Sequence, residues 1–126
     1  GSAAKVTIKK TNYYYKKNLP NRKYTLIKVR YITPTPQGVK VAEKSSRTAK
    51  IKWKKVTGAD GYVVYKYSSK KGKFVKIKVI RDGLKLSYNY KKLKKGVKYS
   101  FRVKAYNVLN GKKVLSIYSS KKYIRL

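Results

Sequence analysis

The chain has 126 residues and carries 36 Lys and Arg against three acids, Glu43, Asp60 and Asp82, for a net charge of +33. That length suits one domain with an appendage and allows a core without disulfides or metals, and 41% hydrophobic residues with 14 Tyr exclude a disordered basic tail. The lack of His and Cys removes most nucleophile–base pairs and most transition-metal sites, and no run approaches the ~20 apolar residues of a membrane-spanning helix.

Gly1-Ser2 reads as an expression-tag scar. Lys5–Tyr15 and Lys23–Ile32 each alternate as a strand does, and Lys16–Asn21 joins them, so residues 3–36 are expected to form a β-hairpin. A lone hairpin is marginal in water, so it is expected to pack on the C-terminal part of the chain or to lengthen one of its sheets. Pro34 and Pro36 in Thr33-Pro34-Thr35-Pro36-Gln37 mark a boundary with an extended connector. The division is therefore residues 1–36 as an extension and 37–126 as a domain.

In the second part, Lys50-Ile51-Lys52-Trp53-Lys54 puts Ile51 and Trp53 on one face and three lysines on the other. Such a strand covers a core and shows its lysine face to water. Further strands are expected at Gly61–Tyr67, Lys73–Ile80, Leu86–Tyr90, Val97–Val108 and Val114–Leu126. In the fourth of these, Tyr99, Phe101, Val103 and Ala105 share one face. Asp82-Gly83 and Asn110-Gly111 supply the positive φ of tight turns. Many short strands between glycine-marked turns indicate an all-β sandwich or barrel.

The ordered motifs carry a more specific reading. They are Trp53, then Val56-Thr57-Gly58-Ala59-Asp60-Gly61-Tyr62-Val63-Val64-Tyr65, the turn Ser68–Phe74, the stretch Leu93–Tyr106, and a final hairpin through Asn110-Gly111 to Ser116–Ser120. Over residues 37–126 this series resembles a bacterial fibronectin type III domain of the kind found in extracellular proteins of Firmicutes. The resemblance implies an immunoglobulin-like sandwich of seven strands, with Trp53 and Tyr99 largely buried and Tyr99 at the tyrosine-corner position. It also implies a non-catalytic binding or spacer module that is secreted or on the surface of a Gram-positive cell. Among the tyrosines it places Tyr62 and Tyr99 in the core.

The carboxylates support no enzyme. Asp60 and Asp82 sit beside glycine in turns, Glu43 sits beside Lys44, and three separated acids make neither a glycosidase pair nor a calcium site. No cofactor is expected, and the isolated glycines form no phosphate loop. What remains is a lysine surface interleaved with tyrosine, with Tyr65, Tyr67, Tyr106 and Tyr118 alternating towards the outside. Lysine is a compact point charge suited to diffuse attraction of phosphate or sulfate. Base-specific readout would use Arg, Asn and Gln on a groove-fitting element.

Two polyanion-binding patches are expected. Lys50, Lys52, Lys54, Lys91 and Lys92 belong to one sheet, and Lys66, Lys73, Lys76, Lys98, Arg102 and Lys104 to the other. The partner class is an anionic cell-wall polymer such as teichoic acid, or a sulfated or otherwise anionic glycan. Nonspecific nucleic-acid binding is the alternative. A third reading is a passive spacer of a larger secreted enzyme or adhesin, its charge arising from an AT-rich genome, and a fourth is a deliberately supercharged variant with no natural ligand.

Overall fold

The computed structural model describes residues 31–126 in full and, before them, the backbone of two short strands. These are β1 (Tyr13–Lys16) and β2 (Thr25–Lys28), which pair antiparallel from Tyr13 opposite Lys28 to Lys16 opposite Thr25. The hairpin expected from the sequence is present as this ladder. Its expected packing on the sandwich lies outside the described residues.

Eight strands follow: β3 (Lys40–Ser45), β4 (Thr48–Lys52), β5 (Gly61–Ser68), β6 (Lys73–Ile80), β7 (Ser87–Tyr90), β8 (Lys98–Leu109), β9 (Lys112–Leu115) and β10 (Lys122–Arg125). They form two antiparallel sheets. One has the order β3-β4-β7; the other has the order β10-β8-β5-β6, with β9 also paired to β8. Between the sheets lie Ile51 and Trp53 from the first and Tyr62, Val64, Ile80, Phe101, Val103 and Ala105 from the second, all buried. Period-two alternation explains this division. Inward β4 residues Ala49 and Ile51 are buried, whereas Lys50 and Lys52 between them are exposed.

The sequence expectation of seven strands is corrected to eight because the last strand is broken. Ser116-Ile117-Tyr118-Ser119-Ser120-Lys121 interrupts it between β9 and β10, yet β8 loses no partner there. Ser116 Oγ accepts from Ala105 N–H at 3.0 Å, and Ser119 Oγ accepts from Val103 N–H at 2.9 Å. The Ser116 and Ser119 N–H groups donate back to the Ala105 and Val103 carbonyls at 2.8 and 2.9 Å. Two hydroxyls thus stand in for strand carbonyls, and both serines are buried.

Tyrosine hydroxyls pin the crossovers. Tyr99 accepts from Lys94 N–H at 2.9 Å and donates to the Lys92 carbonyl at 3.3 Å, as the tyrosine-corner position implies. Its ring is half-buried against the core, less than the large burial expected, because β8 begins only one residue earlier, at the end of the sandwich. Tyr62 is fully buried; its hydroxyl accepts from Val56 N–H and donates to the Gly83 carbonyl, both at 3.0 Å. Its ring meets that of Trp53 at 5.3 Å.

The segment before β3 is extended and held down. Tyr31, Thr33 and Pro36 are buried. Tyr31 O–H donates to Asn107 Oδ1, and Thr33 O–H donates to the Val114 carbonyl at 2.7 Å. Asn107 also donates through Nδ2 to the Gly58 carbonyl at 2.6 Å, so one buried amide joins three chain segments.

Candidate functional site

On the outer face of the β3-β4-β7 sheet, register decides which lysines meet. Lys52 lies directly opposite Lys40 on one side and Ser87 on the other, and Lys50 lies between Ala42 and Asn89. Lys40, Lys50 and Lys52 are exposed and line a shallow groove with Lys44 and a single acid, Glu43. Lys40 was missed from sequence because its strand is almost wholly exposed and shows little alternation.

The remaining members of the first expected patch are spread along the sheet. Lys54 follows the Lys52 end, where its aliphatic stem lies against Gly38. Lys91 and Lys92 follow β7 at the opposite end, beyond the Ala49–Tyr90 pair. Lys50 and Lys52 are therefore together, and Lys54 is separated from Lys91 and Lys92 by the length of the sheet.

The second expected patch divides between two faces. Arg102, Tyr65 and Lys76 form one row across β8, β5 and β6, and Lys104, Val63 and Val79 form the next, both on the outer face. Lys98, at the start of β8, sits with its Nζ 4.4 Å from the Tyr123 ring. Lys66 instead continues the core-facing row that runs through Tyr62 and Val64, opposite Phe101, and Lys73 is opposite Ser68 on that same side. A bulge in β6 between the partners of Val64 and Tyr65 resets its alternation.

Tyr65 and Tyr106 do point to the outer face, but they are buried rather than open, which corrects the expectation of exposure. A second apolar cluster covers them: Val63, Tyr65 and Tyr106, with Phe74, Val79 and Tyr118 packed against it. Tyr118 meets Tyr65 edge-on at 4.9 Å. Arg102 lies over Phe74 and Tyr118, at 4.9 and 5.1 Å, and Lys104 Nζ lies 4.3 Å from the Tyr118 ring. These half-buried cations are used in packing, each contact worth about 0.5–1 kcal/mol. Burial, followed by the neighbouring Tyr118, raises the Tyr65 phenol above its ordinary value, so Tyr65 stays neutral at physiological pH. Tyr67 and Tyr123 remain open, at 43% and 61% exposure.

Two of the three acids are engaged with backbone. Asp60 accepts from Val108 N–H at 2.7 Å, which ties the turn before β5 to β8. Asp82 accepts from Leu84 N–H at 2.9 Å in a local turn.

Two antiparallel sheets packed face to face, with a tyrosine corner and a buried strand tryptophan, define an immunoglobulin-like sandwich module. The chain belongs to the fibronectin type III domain family, whose pattern it matches over residues 34–118. Domains of this family are generally non-catalytic binding or spacer modules. A similar solved structure is an Fn3-like protein from Clostridium thermocellum, with 25% identity, covering 74% of this chain and 92% of that one, TM-score 0.58. A two-domain fibronectin type III segment of chicken tenascin is also similar, with 19% identity over 90% of this chain and 62% of that one, TM-score 0.64. No curated protein is similar enough to this chain to count as a relative. Among the described residues, no helix is long and apolar enough to cross a membrane.

Proposed function

We propose that this domain is a non-catalytic module of a secreted or cell-surface protein of a Gram-positive bacterium, and that it attaches to anionic polymers, either teichoic acid or a sulfated glycan. Residues 1–36 are an extension of the module. One observation carries the reading. Lys40 and Lys52 are placed directly opposite each other on an exposed sheet face, and Lys44 and Lys50 line the same groove with Glu43 as its single acid. Like charges directly opposite destabilise a sheet, and a bound polyanion reverses the sign of that term.

The test is a binding panel of poly(glycerol phosphate), heparin, duplex DNA and dextran at two salt concentrations. The charged polymers should bind with affinity falling steeply in salt, because association releases counter-ions, and dextran should not bind. Replacing Lys40, Lys50 and Lys52 with Gln should flatten the salt slope by up to about three, one for each phosphate no longer neutralised. Tighter binding to DNA than to poly(glycerol phosphate) of equal charge would favour the nucleic-acid reading. No binding to any of them at low salt leaves a passive spacer.

A further inference from the structure

One end of the sandwich brings together lysines from three separate stretches of chain. Lys66 comes from the end of β5, Lys70 from the β5–β6 turn, Lys98 from the start of β8 and Lys121 from just before β10. They line a groove of about 510 Å³ together with Tyr67 and Ser100, and no carboxylate contributes to its wall. The volume is within the range of small-ligand sites, about 300–1,000 Å³.

Its cations are not all loose surface chains. Lys66 Nζ, on the core-facing row, is taken up by the Tyr90 and Tyr99 rings at 5.9 and 5.8 Å, which leaves Lys70, Lys98 and Lys121 as the exposed cations of the groove. Tyr67 stands edge-on to Phe74 at 5.3 Å and 72°, which fixes its ring, and it remains 43% exposed. Three positive charges around one concavity repel each other unless an anion sits among them. A fixed, open aromatic ring next to such an anion suits the apolar face of a sugar or polyol.

We infer that this end groove is a specific seat for one phosphate or sulfate ester carried on a saccharide or polyol chain, with Lys70, Lys98 and Lys121 around the oxyanion and Tyr67 against the carbon skeleton. The inference rests on the polyanion reading above and adds a defined location to it. The β3-β4-β7 face supplies diffuse attraction that any long polymer can use, whereas the groove selects a unit of the polymer.

Short ligands separate the two contributions. The probes are a glycerol phosphate hexamer, a heparin hexasaccharide and a single-stranded DNA oligomer of matching charge, titrated against the full chain. Replacing Lys70, Lys98 and Lys121 with Gln should weaken hexamer or hexasaccharide binding by about tenfold or more, one decade of affinity. Replacing Lys40, Lys50 and Lys52 should weaken it by less than about threefold. Tyr67→Ala should weaken binding of the carbohydrate-type probes while leaving the salt slope unchanged, and amide shifts should concentrate at Tyr67 and Ser100. Loss for the glycerol phosphate hexamer alone identifies phosphate as the source of the ester; loss for heparin alone identifies sulfate. The groove variant replaces only exposed side chains, and its melting temperature should not fall. Equal losses for the two triple variants, or DNA binding that matches the carbohydrate probes and suffers equally from Tyr67→Ala, overturn the groove while leaving general polyanion binding intact. If wild-type protein binds none of the long polymers either, both readings fail together.

Discussion

Asn107 shows how much one buried polar side chain can organise. Its amide accepts from Tyr31, lies beside the Thr33 hydroxyl, donates to the Gly58 carbonyl and approaches Asp60, so it ties two segments distant in sequence to β8. Removing it takes a hydrogen bond from the Gly58 carbonyl and one from the buried Tyr31 hydroxyl, and each such loss costs about 1–3 kcal/mol. Asn107→Ala should therefore lower unfolding free energy by at least about 2 kcal/mol in a denaturant titration. A loss under half that size would show that water reaches the vacated site and replaces the amide. Nothing in the sequence marked Asn107. It stands in a run of alternating residues, and the groups that define its role come from residues 31, 33, 58 and 60, which no local pattern connects. Trp53 and Tyr62 were legible by contrast, because an aromatic residue inside an alternating strand has few places to go other than the core.

At the scale of elements, alternation located β6 to the residue and β4, β5, β7 and β8 within one or two. It failed where pattern and environment disagree. β3 is exposed along nearly its whole length, so it lacks an apolar period to read. The last strand looked continuous because Ser116 and Ser119 carry no signal that their hydroxyls replace strand carbonyls. Ser119→Ala tests that substitution of roles. Val103 N–H would keep no acceptor in a buried position, and stability should fall by about 1–3 kcal/mol; amide exchange at Val103 should accelerate. Unchanged exchange there would mean that the ladder does not depend on the hydroxyl. The candidate site was legible in composition but not in grouping. Lys50 and Lys52 follow from one strand's period, whereas the pairing of Lys40 with Lys52 needs the register. The separation of Lys66 from Arg102 likewise depends on which strand face each occupies.

For the molecule as a whole, a net charge of +33 on 126 residues means that folding brings like charges together. Salt screens this repulsion, since the Debye length falls from about 30 Å at 0.01 M to about 10 Å at 0.1 M. The melting temperature should rise over that range of sodium chloride, opposite to the expectation for a protein stabilised by surface ion pairs. A melting temperature that is flat or falls with salt would show that the lysine spacing has already relieved the strain. The anchoring of residues 31–36 has a different consequence, a mechanical one. Tension entering the domain through Tyr31 reaches β8 and β9 through Asn107 and the Val114 carbonyl before it reaches β3. Those side-chain bonds take load ahead of β3, so they act as a clamp that shields the weakly packed edge strand from being peeled away when the chain is pulled.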